Sequence, residues 1–356
     1  MINVKINTKV FKDIVGSPVI EETKSKKSNI VNTDIAKFSL TDNTGLITPL
    51  SNNSIINYDS PEENTIEILD DTLVLYKGIL DHVEIIKENI FELQCKTEIN
   101  KYLRDNVKYK TWDRFGGTFP AEEYKLYPNG FYYETPSNAV WHYLKALGNT
   151  GLNTYSLDRS NAIYDSNNAY IQINSDFLSL RPKEIINFVC QKTGLLIYTD
   201  TAGNINFVHG IDYTDNPVNI TESVKNDIKS LDELYMFNDY EIELESNSLR
   251  TATDNADYGL QYRNVYDIDF EIEKGLIWIP DADAADYFGT YAIDKFFRRR
   301  QGISFKFELG PESFGLETGI SITSSKRGWS NKLFEPYGLK KDIKKVKFNV
   351  DAYEVL

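Results

Sequence analysis

At 356 residues the chain is too long for one small core, and its 41% hydrophobic content, 13% aromatic, excludes a globally disordered protein. A net charge of −14 sets aside nucleic-acid binding as the main feature, and no apolar run approaches the length of a bilayer-crossing helix. The charge is uneven: Ser321 to Leu356 holds eight Lys/Arg against four acids, so this +4 tail leaves −18 on residues 1–320. Part of that acidity is expected to be a solvated surface. A sharper reading makes it a wall past which a polyanion slides without sticking. The N-terminal Ile2-Asn-Val-Lys-Ile6 alternates like a strand and lacks the apolar core of a signal peptide, so export by that route is not expected. Cys95 and Cys190 lie far apart in apolar-patterned segments and read as buried free thiols suited to a reducing compartment.

Residues 1–105 alternate with period two at Ile2/Val4/Ile6, Ile66/Ile68 and from Leu73 to Leu93. Turn signals separate these runs at Asp42-Asn-Thr-Gly45, Ser60-Pro61, Asp70-Asp71 and Lys87-Glu-Asn89. Short strands at this spacing predict an antiparallel barrel or sandwich, with Glu21–Asn29 as a long hairpin tip and a short helix around Glu98–Asp105 closing the domain.

From Asn106 to Phe131 the pattern dissolves into an aromatic-rich loop with Trp112, Phe115, Tyr124 and Tyr127. Such aromatics pack back on a neighbour, stack on sugars or form a subunit interface. Thr135-Pro136 then opens a helix with Ala139, Val140, Tyr143, Leu144 and Leu147 on one face and Gly148 beyond its end. Pro182 to His209 reads as one unit. Pro182 fits a first helical turn, Ile185, Ile186, Val189 and Cys190 share a face, and Gly194 stops the helix in the left-handed region. Two strands follow, Leu195–Thr199 and Ile205–His209, joined by the turn residues Asp200 to Asn204. These elements make a middle α/β domain over 106–230.

The third region, 231–356, returns to strands. Glu241–Glu245 alternates, as do Tyr266, Ile268, Phe270 and Ile272 against acids, and Gly275–Pro280 reads as a buried strand. A helix capped by Asp281 or Asp283 runs to Arg298-Arg-Arg300, whose cations suit its C-terminal end. Further strands are expected at Ile303–Leu309, Gly319–Thr323 and Val346–Leu356. The fold class is therefore mainly β with α+β parts, two antiparallel barrels flanking a smaller α/β domain.

A search for chemistry assigns no catalytic, cofactor-binding or metal-ligating residue. There is no phosphate loop, nucleophile elbow or paired-cysteine zinc spacing. His82, His142 and His209 are isolated, and Asp281-Ala-Asp283-Ala-Ala-Asp286 lacks the glycine and closing Glu of a calcium loop. Carboxylate pairs such as Asp267/Asp269 and Glu241/Glu243 are inevitable among 53 acids. Arg298–Arg300 and Lys326-Arg327 read as a helix end and a loop sooner than as phosphate sites.

The order of the third region carries a resemblance. A strand ending at Pro280 leads to an Asp/Ala-rich helix with Tyr287, Tyr291 and a basic end, then to the strand 303–309, a turn before Leu316-Glu-Thr-Gly319, and the strand Ile320–Thr323. This resembles the hub proteins at the tips of phage tails and related contractile injection machines, in which a Gly commonly precedes a strand at the place of Gly319. The 182–209 unit and the passage Leu75–Asp81 followed by Phe91–Lys96 are similar to the same family. The resemblance implies a non-enzymatic structural role without cofactors. Two tube-like barrels per chain would form a homotrimeric ring of pseudo-sixfold symmetry in the virion tail, assembled in the host cytoplasm. Its partners would be the tail tube or distal tail protein, the tip or spike and the tape measure, with genomic DNA passing unbound. The +4 tail is expected to meet an acidic neighbour. The alternatives are a distal tail protein, which shares a tube-like barrel, and a tail-associated glycan-binding or glycosidase module using the 112–133 aromatics.

Overall fold

The computed structural model describes residues 1–24, 34–49, 51–103, 125–126, 132–148, 150–173, 182–209, 213–222, 228–234, 239–243, 249–253, 265–267, 287, 300–308, 314–345 and 347–355. The protein is mainly β, with a large, mostly antiparallel sheet and few helices. Among the described residues thirteen strands belong to that sheet, and they come from both ends of the chain. The N-terminal strands run in the spatial order Ile14–Thr23, Ile35–Thr41, Ile90–Lys96, Leu73–Lys87, Thr65–Asp70, Ile2–Ile6 and Lys9–Phe11. The C-terminal strands Trp329–Asp342, Lys347–Glu354, Arg300–Glu308 and Lys229–Leu234 continue the sheet on the other side.

The two sets meet where Ile14–Thr23 pairs antiparallel with Trp329–Asp342. Among the described residues the ends join edge to edge and no closed barrel is found, so the expected pair of barrels is not confirmed. The physical reason is that each half carries one long strand with an otherwise open edge, and pairing those edges satisfies both sets of backbone groups. Each half keeps its own core. Val4, Ile6, Phe38, Ile66, Ile68, Phe91 and Leu93 pack in the first, and Ile303, Phe305, Ile320, Phe334, Phe348 and Val350 in the second. Ile343, at the end of the C-terminal seam strand, inserts into the first core.

Turns fall where the sequence places them. Asp71 and Asn89 adopt positive φ at the Asp70-Asp71 and Lys87–Asn89 turns, as small polar residues can. Asp42, 2% exposed, accepts hydrogen bonds from the backbone N–H groups of Thr44, Leu46, Ile47 and Thr48 at 2.7–3.1 Å, and from the Thr44 and Thr48 hydroxyls at 2.9 and 3.2 Å. One carboxylate thus folds the 42–48 loop back on itself. The closing helix is a single 3-10 turn, Glu98–Lys101, with Ile99 buried.

Among the described residues the middle of the chain packs three helices over short strand pairs. Pro136–Ala146 starts behind Thr135, whose Oγ1 caps the Asn138 N–H at 3.4 Å. It rests on helices Thr154–Ser166 and Pro182–Thr193. Gly194, at φ 74°, stops the last helix, and strands Leu196–Thr199 and Ile205–Val208 pair directly after it. The helix Thr154–Ser166 is absent from the sequence reading because it buries only Leu157, Ser160 and Tyr164, too weak an apolar stripe to register as a 3.6 period. Its N-cap Asn153 accepts from the N–H groups of Tyr155 and Ser156.

Two features of the C-terminal sheet are tertiary in origin. Val218–Thr221 pairs parallel with Ile320–Ser324, although about 100 residues separate them in sequence. Gly319 precedes that strand because a Cβ there would lie 2.0 Å from the Tyr213 carbonyl oxygen. The 14-residue strand Trp329–Asp342 contains Pro336, which the ladder tolerates through a register shift between Pro336 and Gly338. The strand Asp239–Glu243 pairs with Leu249–Thr253 and Val265–Asp267 in a small separate sheet. The expected strand 275–280 and the 106–124 aromatic loop lie outside the described residues, as does the helix 281–300 apart from helical Tyr287 and strand-forming Arg300.

Candidate functional site

The seam between the two halves carries several ion pairs. In the ladder Lys340 stands opposite Glu21, and Lys341, opposite Ile20, lies diagonal to Glu22 on the same face. Lys340 binds Glu21, and Lys341 binds Glu22. Ser17 donates to Asp342 at 2.5 Å and accepts from the Lys344 N–H at 2.8 Å. The basic tail therefore meets its acidic counterpart within the same chain. The expectation that it awaits an acidic neighbour does not hold for Lys340 and Lys341.

At the inner end of the seam lies a buried pair. Lys24 Nζ sits 3.4 Å from Glu335 Oε2, and both side chains are 1% exposed. The ammonium also donates to the Tyr213 hydroxyl at 2.9 Å and lies 4.8 Å from the centre of the Tyr337 ring. Lys24 belongs to the N-terminal half, Glu335 and Tyr337 to the C-terminal sheet and Tyr213 to the segment leading into Val218–Thr221. One ammonium thus ties three parts of the chain.

Beside this pair the seam, the strand Leu73–Lys87 and the 196–208 hairpin enclose a cleft of about 290 Å³. Its lining includes Glu22, Asp34, Tyr76, Thr199, Glu317 and Lys341. The hairpin turn reaches the Lys77 stem: a Cβ on Gly203 would lie 2.9 Å from Lys77 Cδ. Burial, reinforced by the Glu22 charge, pushes the Asp34 carboxyl well above the usual range, against the pull of Lys341. Glu317 is exposed at the mouth, close to the Glu22 carboxylate. Burial, with Glu317 and Asp200 nearby, pushes the Tyr198 hydroxyl up to about 12.

A second groove shares Tyr198 and Glu317 with the first and runs along the helix Thr154–Ser166 past Ser156, Arg159 and Asn206 to His209. Its polar groups are largely occupied by the protein. Asn153 donates to Asn206 at 2.6 Å, and Ser156 Oγ accepts from the Phe207 N–H at 3.1 Å. His209 is buried, with Nδ1 2.9 Å from the Tyr164 hydroxyl and Nε2 bonded to the Tyr287 hydroxyl. That arrangement links the middle helices to the 281–300 segment.

No protein-family model and no curated protein matches this sequence. Solved structures do. The 43 kDa tail protein of prophage MuSo2 from Shewanella oneidensis is similar with a TM-score of 0.56 at 11% identity, over 99% of this chain and 97% of that one. A tail protein from Neisseria meningitidis MC58 gives 0.57 at 11% identity, over 99% and 96%. The fold is that of phage tail proteins. Prophage tail protein gp18 from Listeria monocytogenes EGD-e extends the likeness, with a TM-score of 0.51 at 8% identity over 99% and 94%.

Within this tail-protein fold, the residues weighed for chemistry are scattered. Arg327 reaches Glu222 at 3.6 Å, donates to the Ser230 hydroxyl and the Ile228 carbonyl, and lies over the Trp329 ring, so its guanidinium serves the C-terminal sheet. His142 packs edge-on against Trp141. Asp281, Asp283, Asp286 and the side chains of Arg298–Arg300 lie outside the described residues. Among the described residues no three His, Cys, Asp or Glu stand close enough to hold a metal ion, and no helix is long and apolar enough to cross a membrane. Both cysteines are free and buried, as their apolar surroundings in sequence indicate. The Lys24–Glu335 pair escapes sequence reading because its members are 311 residues apart. The sequence reading places Lys24 in the polar hairpin tip 21–29, whereas the strand runs on to Thr23 and Lys24 is buried.

Proposed function

We propose that this chain is a non-enzymatic structural subunit of a phage tail tip or baseplate, a hub whose copies form a ring in the virion tail. The observation that carries the reading is a fold shared from end to end with prophage tail proteins, over 99% of this chain and 94–97% of theirs. The two separate cores support the finer version. Each half has its own core and serves as one tube-like unit. Two units per chain and three chains give six around a threefold axis, continuing the sixfold symmetry of a tail tube. Among the described residues the sheet ends at Lys9–Phe11 and Lys229–Leu234. In a ring the two ends of this main run pair with neighbouring copies, which covers those edges.

In this role the ring seats the tip or spike proteins and lines the channel for DNA. The −18 carried by residues 1–320 keeps phosphates from sticking to its wall. A reconstruction of the assembled tail tip tests the proposal. Three copies around a central channel support the hub. Six copies transfer the chain to a distal tail position, and copies away from the axis overturn the reading.

A further inference from the structure

The cleft beside the seam has more acceptor capacity than the protein uses. Asp34 is 8% exposed, and its Oδ1, like Tyr76 Oη and Thr199 Oγ1, has no hydrogen-bond partner within the protein. All three side chains line the same cleft. Buried polar atoms without partners are costly; the ionised Asp34 carboxylate can only accept and the two hydroxyls can turn to accept, so one group that brings donors can meet all three. The charge of the lining points the same way. Glu22, Asp34, Asp200 and Glu317 face only Lys77 and Lys341. Lys341 is engaged by Glu22, and Asp200 accepts from Asn204 and Asn206. Neither Asp34 nor Glu317 has a cation within ion-pair distance among the described residues.

We propose that this cleft binds an organic cation bearing N–H donors, the guanidinium or alkylammonium of a side chain or of a free amine. A metal ion is disfavoured by geometry, because no three ligating side chains converge among the described residues. A guanidinium instead spreads its donors over a plane and reaches several acceptors at once. The volume of about 290 Å³ suits one side-chain head with part of its stem and lies at the lower end of small-ligand sites, roughly 300–1,000 Å³. Glu317 at the open mouth meets the cation first, and Asp34 holds it at depth. A bound cation favours the ionised Asp34 carboxyl, which burial and Glu22 otherwise hold toward the neutral form. Binding therefore releases protons and tightens as pH rises.

The test is a calorimetric titration of the full chain with four probes: N-acetyl-arginine methylamide, N-acetyl-lysine methylamide, putrescine, and N-acetyl-citrulline methylamide as the neutral isostere. The cations are expected to bind at least tenfold more tightly than citrulline. Asp34→Asn and Glu317→Gln should each weaken them at least fivefold. Should Asp34→Asn fail to fold, Glu317→Gln at the solvent-open mouth carries the test alone. A capped amino acid that outcompetes putrescine assigns the cation to a protein side chain, and the reverse assigns it to a free polyamine. No cation binding, citrulline binding as tightly, or full affinity in the folded variants overturns the proposal. Failure here leaves the tail reading intact, since the site is argued from the cleft alone.

Discussion

Replacing Lys24 with Met should loosen the whole molecule, because Lys24 is where its two halves are fastened. Met keeps the length and apolar bulk of the lysine stem but removes the ammonium beside Glu335, 3.4 Å away and 1% exposed. The Tyr213 hydrogen bond at 2.9 Å and the cation–π contact with Tyr337 go with it. Breaking a buried pair at one end costs about 3–5 kcal/mol, since a charge stays behind in a poorly solvating site. Unfolding entropy near 2.1 cal/mol/K per residue, over 356 residues, converts this to a drop in Tm of about 4–7 °C. The double variant Lys24→Met/Glu335→Leu should recover most of the loss, because a packed apolar pair avoids desolvating either charge. Urea denaturation at pH 7, read for all four corners of the cycle, supplies the numbers. If Lys24→Met lost less than about 1 kcal/mol, or the double variant lost as much as the single, the pair would not be the fastening argued here.

Two further predictions follow from single residues. Gly194→Val should cost at least about 1–2 kcal/mol, because φ is 74° there and a β-branched side chain resists the left-handed region; an unchanged Tm would contradict the helix-stop role. Asp42 is a pH prediction. Burial raises its carboxyl, but the hydrogen bonds from Ile47, Thr44 and Leu46 outweigh that and hold its pKa below the ordinary value. A depressed carboxyl contributes stability that is present above the unfolded pKa of about 3.9 and is lost as pH falls through the lower folded value. Asp42→Asn should therefore lose about 1–3 kcal/mol at pH 7 and show a flatter acid limb in denaturation measured from pH 6 to pH 2. An identical acid limb would remove Asp42 from that account.

Local structure was largely determined by the sequence itself. The alternation of Ile2/Val4/Ile6 and Ile66/Ile68, the Thr135-Pro136 helix start, and the 182–209 helix, stop and hairpin all stand where periodicity and turn chemistry put them. Such features depend on backbone preferences and side-chain period within a few residues, which a linear pattern contains. The helix Thr154–Ser166 and the proline-bearing strand Trp329–Asp342 were not legible, because one rests on tertiary packing of a polar sequence and the other on a bulge set by its partner strand. Only the tertiary structure decided how the ends of the chain relate. Alternation marks a strand and its buried face but carries no record of which distant edge will satisfy its free N–H and C=O groups. The pairing of Thr23 with Gly338, and with it the Lys24–Glu335 contact and the Asp34 cleft, follows from that edge-to-edge choice.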